Sequence, residues 1–142
     1  MNVWELAVGD ALPKRFELGP ITRTDIVRYQ GASGDFQPIH HDEGFAQDAG
    51  YDAPLVIGMY PAGALALWAA QLFGPETVRS TRLRWNAMVW PGDQLTGVGR
   101  IETRAAGERT VTMTLSNQSG ESVLDCRMTF VRPTAKDANG SL

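Results

Sequence analysis

Hydrophobic and polar positions change their rhythm along this chain near residue 77. In the C-terminal half, Val111, Met113 and Leu115 alternate with Thr110, Thr112, Thr114 and Ser116. Leu124, Cys126, Met128 and Phe130 alternate in the same way with Asp125, Arg127 and Thr129. A period of two places one set on each face of a strand. Asn117-Gln118-Ser119-Gly120 supplies turn residues between the two runs, so they are predicted to form an antiparallel hairpin. Upstream, Leu83 and Trp85 alternate with Arg82 and Arg84, and Pro91-Gly92-Asp93 turns the chain into a further strand over 95–103.

The N-terminal half reads differently. Residues 1–20 hold two turn-rich pieces around a short alternating stretch, predicted as one strand or hairpin. Thr22 with Asp25 has the spacing of a capping box and opens a helix through about Ala32. Asp42 caps a short second helix with Phe45, Ala46 and Ala49 on one face, and Gly50 ends it. A third helix is predicted over about 60–73, with Pro61 in its first turn, where a missing N–H costs nothing. No charge falls between Asp52 and Glu76, but Pro54, Gly58 and Pro61 interrupt the apolar run and Gln71 and Gly74 close it. Its helical part is short of the roughly 20 residues a bilayer requires, so it reads as a buried helix. Four or five strands need cover for one face, and only this helix offers it. Its small residues (Ala62, Gly63, Ala64, Ala66, Ala69, Ala70) admit a close sheet, while Leu65, Leu67, Trp68, Leu72 and Phe73 fill space. A helix apolar nearly all round wants surroundings on most sides. The expected class is α+β, an antiparallel sheet wrapped around one central helix in a single domain over 1–133. Residues 134–142 are small and polar, and are expected to be a disordered tail.

Composition narrows the function. With 142 residues, a net charge of -3 and a pI near 5.3, a generally basic nucleic-acid surface is excluded. The N-terminus lacks the basic and apolar regions of a signal peptide, and no membrane span is expected. Cys126 is the one cysteine, so neither an internal disulfide nor a cysteine-rich metal cluster is expected, and a reducing, cytoplasmic setting fits. The two histidines, His40 and His41, are adjacent, so imidazole chemistry has one address.

That address lies in Tyr29-Gln-Gly-Ala-Ser-Gly-Asp-Phe-Gln-Pro-Ile-His-His-Asp42. Asp35 and His40 stand five residues apart, joined through a link that Pro38 stiffens by fixing its own φ and extending Gln37. An acid and an imidazole held on a stiff loop can share one water, one accepting its proton while the other donates. A turn aspartate beside a surface histidine has the same spacing. A second element is Val56–Ala64, where a helix start leaves backbone N–H groups unpaired. Ala62 and Gly63 would be the free donors, able to hold a carbonyl oxygen that gains charge. Plain helix capping explains the same residues.

The string Y-x-x-A-S-G-D-x-Q-P-I-H-x-D, followed by Gly58-Met59 at the start of the apolar helix, resembles the motif of the MaoC-like dehydratases, the R-specific enoyl-CoA hydratases. The resemblance runs from the Val8-Gly9-Asp10 segment to the closing strands. It implies a hot dog fold and reversible syn hydration of a trans-2-enoyl thioester to an R-3-hydroxyacyl thioester. Asp35 and His40 would then activate water and move the proton to the α-carbon, and the N–H of Gly63, with Ala62, would hold the thioester carbonyl. Ser33, Gly34, Gln37 and Pro38 would support the loop, and Ile57, Gly58, Met59 and Tyr60 would form the pocket entrance. No metal or redox cofactor is implied; coenzyme A enters only as part of the substrate, with an acyl-carrier thioester as the other form. A dimer is implied too, either of like chains or with a second hot dog chain.

Two positions depart from that motif. Gln37 stands where the family carries asparagine, and Ile57 where many members carry histidine, so the entrance should be more apolar. Among other residues, His41 should face solvent or cap the next helix, and Asp42 reads as an N-cap. Ser33 has no second base to make it a nucleophile. Arg82 and Arg84 suit either a coenzyme A phosphate or a solvated strand face. Trp68, Trp85 and Trp90 read as core or interface mass, and Cys126 as an inert core thiol. A non-catalytic subunit of a heteromeric hydratase would be expected to lack the acid or the imidazole. A hot dog thioesterase would want a carboxylate on the central helix, where residues 60–73 have none.

Overall fold

The computed structural model describes residues 1–134, so the expected tail beyond Thr134 lies outside the described residues. Strand β1 (Phe16–Leu18) is followed by helices α1 (Arg23–Ser33), α2 (Glu43–Asp48) and α3 (Met59–Phe73). Strands β2 (Val78–Trp85), β3 (Leu95–Ala105), β4 (Glu108–Ser116) and β5 (Ser122–Val131) complete the chain. They form one antiparallel sheet in the order β1-β3-β4-β5-β2. Of the first twenty residues, three form β1 on β3, and Ala11 adds a single bridge to Arg100.

The registers show how the alternation is used. Leu83, Cys126 and Met113 line up across β2, β5 and β4 on the face turned to α3. One residue away, Arg82, Arg127, Thr112 and Arg100 line up on the outer face. Helix α3 lays Pro61, Ala62, Leu65, Ala69, Ala70 and Phe73 against the inner face, a spacing of three and four that makes one stripe. Phe73 stacks on Phe130 with ring centroids 4.3 Å apart. Trp68 packs on Phe16 and Trp90 on Tyr51, whereas Trp85 stays about half exposed.

The expectation of a helix covered on most sides is not met within one chain. Met59, Gly63, Leu67 and Gln71 recur every fourth residue of α3 and are all exposed, Leu67 at 57%. Five strands cover only the opposite side. The edge strand β2 is open as well, with Leu83 its one residue that is not exposed. No helix among the described residues is long and apolar enough to cross a membrane.

Candidate active site

Helix α1 ends where the catalytic candidates begin. Thr22 and Asp25 close the capping box at its start: the Asp25 amide donates to Thr22 Oγ1 at 3.1 Å and the Thr22 amide to Asp25 Oδ2 at 2.8 Å. The Thr22 hydroxyl, which donates to Asp25 Oδ2 at 2.6 Å, and then the Thr22 amide hold the Asp25 carboxyl below its ordinary value. At the other end Gly34 adopts φ +75°, a left-handed conformation that glycine takes without a Cβ penalty, and donates its N–H to the Gln30 carbonyl. The chain therefore reverses at Gly34 and presents Asp35 at the surface.

Asp35 is held by its neighbours. Its amide donates to Ser33 Oγ at 3.2 Å, and its Oδ1 accepts the Gln37 amide at 3.2 Å. Pro38 opens a short 3-10 turn that ends on His40. There His40 Nδ1 lies 2.8 Å from the carbonyl oxygen of Leu55. A carbonyl can only accept, so Nδ1 carries the proton and Nε2 keeps a free lone pair. The Leu55 amide in turn donates to the Ile39 carbonyl at 3.3 Å, tying the turn to the segment that leads into α3.

The residue that composition and spacing did not single out is Gln30. It is 3% exposed, and its Nε2 donates to the carbonyls of Asp35 at 2.9 Å and Gln37 at 3.5 Å. Its Oε1 lies 3.1 Å from His41 Nδ1. The available signal was that Gln30 sits four residues after Ile26, on the buried side of α1. His41 is exposed, as expected, yet it does not cap α2; Asp42 does, accepting the Phe45 amide at 2.9 Å.

The other singled-out residues divide. Ser33, Gly34 and Pro38 shape the loop, while the Gln37 side chain projects into solvent and only its backbone is bonded. Ile57 does not line an entrance: it is 4% exposed and belongs to the core, because the segment before α3 packs inward through Val56 and Ile57. Gly58 lies beneath Trp85, whose indole N–H donates to the Gly58 carbonyl at 3.0 Å. A Cβ at Gly58 would stand 2.8 Å from that indole nitrogen, so any larger residue would force the indole to shift. Met59 is exposed, and Tyr60 packs on Tyr29 with centroids 5.3 Å apart. Burial, then the charge of Asp25, pushes the Tyr60 phenol up and keeps it neutral.

Helix α3 starts at Met59, one residue before the expected position, and this bears on the backbone donors. Ala62 and Gly63 become its fourth and fifth residues, whose ordinary acceptors are the Gly58 and Met59 carbonyls. The groups without an intrahelical acceptor fall instead at Gly58 and Met59, since the Tyr60 amide bonds to the Ile57 carbonyl and Pro61 has none. Ala62 is fully buried and Gly63 exposed.

Arg82 and Arg84 lie on the outer face of the sheet, opposite α3. Cavities of about 280 and 460 Å³ open on that face, the first beside Arg82 and Arg84 and the second between Gly9, Val98 and Arg100. Neither touches Asp35 or His40, and neither holds an acid and an imidazole together. The Asp35–His40 loop carries the better chemistry, though it lies open at the surface of the single chain. Cys126 is buried, which pushes its thiol up to about 11 and leaves it unreactive at neutral pH.

Comparison with known proteins agrees with this architecture. Fatty acid synthase 2 of Mycosarcoma maydis is 32% identical over 114 residues, 74% of this chain but 3% of that protein. Among curated relatives the chain spans from 3% to 43% of their length. The ChsH1–ChsH2 complex of Mycobacterium tuberculosis superposes with a TM-score of 0.79 at 25% identity, covering 89% of this chain and 98% of that one. The (R)-hydratase of A. caviae involved in PHA biosynthesis gives 0.78 at 21% identity, covering 91% and 98%, and shares the hot dog fold. The family model described as the MaoC like domain matches residues 11–123. The chain belongs to the MaoC-like dehydratase domain family.

Proposed function

We propose that this chain hydrates a trans-2-enoyl thioester to an R-3-hydroxyacyl thioester, reversibly, with Asp35 and His40 as its acid–base pair. The observation that carries this reading is the bond from His40 Nδ1–H to the Leu55 carbonyl, which leaves the Nε2 lone pair available on the same short loop as an exposed carboxylate. In the hydration direction the water oxygen bonds to the β-carbon and its proton passes to the pair. The electron pair of the double bond moves toward the thioester carbonyl, and the α-carbon then takes a proton from the same pair. Addition of both to one face follows from a single loop supplying both. The negative charge that builds on the carbonyl oxygen is held at the start of α3, where the Gly58 and Met59 amides lack intrahelical acceptors. This assignment replaces Ala62 and Gly63 as donors.

A second hot dog chain completes the pocket in this reading. The acid–base loop is open to solvent, the Met59–Gly63–Leu67 stripe is uncovered, and β2 offers an unpaired edge. The partner is another copy or an unlike chain, as the two-name complex among its structural neighbours illustrates. Because this chain carries both Asp35 and His40, it is assigned the active role in either pairing. Helix α3 contains no carboxylate, which disfavours the thioesterase alternative. Arg82 and Arg84 face away from α3 and receive no role toward the thioester of their own chain.

The test is a panel of short, medium, long and sterol-like enoyl-CoA thioesters, with the purified chain alone and with candidate hot dog partners. Loss of the enoyl absorbance with formation of the R product supports the proposal. No hydration under any pairing, or undiminished hydration by both the Asp35→Asn and His40→Ala variants, overturns it.

A further inference from the structure

We infer that Gln30 and His41 form a clamp that sets the position of the Asp35–His40 loop, making both of them positioning residues for the reaction proposed above. The inference rests on that reading for its catalytic consequence but not for the clamp itself.

The clamp follows from the valences of one buried amide. Gln30 Nε2 faces two backbone carbonyls, of Asp35 at 2.9 Å and Gln37 at 3.5 Å. Carbonyls only accept, so the nitrogen of the side-chain amide must be the atom that faces them, and the oxygen must face the other way. That oxygen meets His41 Nδ1 at 3.1 Å. An amide oxygen also only accepts, so His41 must carry its proton on Nδ1. One side chain anchored in the last turn of α1 thus grips the loop before and after the Pro38–His40 turn. Asp35 and Gln37 lie on one side of its grip and His41 on the other. The loop's other bonds close within the turn itself or run to Ser33 and Leu55, and apolar packing adds little at Asp35, Phe36 and Gln37, which are exposed, Phe36 at 64%. The Gln37 side chain contributes none of its own.

Gln30 is also placed where a loss cannot be made good by water without disturbance, since it is almost wholly buried. Its own backbone carbonyl accepts the Gly34 amide at 2.8 Å, so side chain and main chain of one residue hold both the reversal at Gly34 and the loop beyond it. Misplacing a reacting group by about 1 Å can cost on the order of 10²-fold in rate. His41 is thereby more than a solvent-facing neighbour of His40.

The clamp can be read without any activity assay. The chain has only two histidines, so nitrogen-15 NMR of the full chain above the ordinary histidine pKa resolves both rings. Both should show the Nδ1–H tautomer, His40 through Leu55 and His41 through Gln30. In Gln30→Leu, His41 should shift toward the Nε2–H form while His40 keeps its own. An Nε2–H tautomer for His41 in the unaltered chain overturns the clamp whatever the reaction proves to be. So does an unchanged His41 signal in a folded Gln30→Leu.

Kinetics then test the consequence. Removing the amide in Gln30→Leu should lower kcat by about 10- to 10²-fold with KM within about threefold, as expected for lost alignment. His41→Ala, which leaves the buried amide in place, should lower kcat by about three- to tenfold. The double variant should fall no further than Gln30→Leu alone, because both act through one contact. If Gln30→Leu does not fold, His41→Ala and His41→Phe carry the test, with the same direction in kcat. Full kcat in a folded His41→Ala, or additive losses in the double variant, overturns the positioning role. Absence of hydration by the unaltered chain overturns the proposed function instead, and leaves the tautomer result standing.

Discussion

The α3–sheet core and the loop from Tyr29 to Asp42 are built by opposite means. In the core, Leu65, Val111, Leu115 and Phe130 have no exposure, and contact between apolar surfaces does the holding. In the loop, Asp35, Phe36 and Gln37 are exposed, and individual hydrogen bonds with Gln30, Ser33 and Leu55 fix the chain. The core can therefore lose an atom and pay in stability. The loop can lose a functional atom at little cost in stability and a large cost in chemistry. Reactive groups on a loop positioned by a rigid scaffold are the usual arrangement.

The largest expected effect separates the two regions most sharply. His40→Ala and Asp35→Asn should each lower hydration by on the order of 10²–10⁴-fold, since a general acid or base is removed. Denaturation midpoints of both variants should stay close to that of the unaltered chain, measured by circular dichroism. A variant that loses activity and stability together would make the loop part of the core's packing and erase the contrast.

Next in size is the reciprocal change. Phe130→Ala removes a ring stacked on Phe73, and Leu65→Ala empties a site against the inner sheet face. Each should cost about 2–5 kcal/mol of unfolding free energy in urea titrations. At temperatures where the variant remains folded, kcat should change far less than in the loop variants. The loop's bonds run to Gln30, Ser33 and Leu55 rather than to either deleted side chain.

How much of each region could be read from the residues follows from the same contrast. The alternation from Thr110 to Ser116 and from Leu124 to Phe130 identified β4 and β5, because a period of two directly encodes sheet sidedness. Thr22–Asp25 and Asp42 identified two helix starts, since their bonds close within three residues. Asp35 and His40 were visible as a motif. Periodicity says which face is apolar, but not whether anything covers it, so the pattern over 60–73 predicts a buried helix although Gly63 and Leu67 lie open in the single chain. The inward turn of Val56 and Ile57 goes with a bond from the Val56 amide to the Val89 carbonyl at 2.9 Å and with membership of the common core, which no local spacing encodes. Gln30 carries no local signature of its role, because that role lies in contacts with Asp35, Gln37 and His41, and those depend on the reversal at Gly34.

A smaller effect tests the junction where helix and loop meet. Thr22→Ala removes the side-chain acceptor at the start of α1, and should cost about 1 kcal/mol. Asp25 adds a pH signature to that site. Its folded-state pKa lies below the ordinary carboxylate value, so the stability it contributes is present above the unfolded-state pKa, about 3.9. That contribution is lost as the pH falls through the lower folded value. Because the carboxyl stays open to solvent the effect is small, and it should shrink in Thr22→Ala, which removes the hydroxyl, the largest cause of the shift, and keeps the amide.

The smallest effect belongs to the outer face of the sheet, which resembles neither region. Arg127 Nε donates to Glu102 at 2.6 Å, but both side chains are about two-fifths exposed, and water screens the pair. Short geometry alone would suggest a strong bond; exposure decides against it. Glu102→Gln should cost less than about 1 kcal/mol, and the difference should shrink further in high salt. A residual cost has a second source, because Arg127 sits directly opposite Arg82 across the β5–β2 ladder. Like charges so placed repel, and Glu102 offsets them. If so, the penalty of Glu102→Gln should fall when Arg82 is replaced by Gln, measured as a double-mutant cycle in low salt. An equal penalty in both backgrounds would confine Glu102 to its single partner, and would make β2 an edge whose charges do not sense the strand beside it.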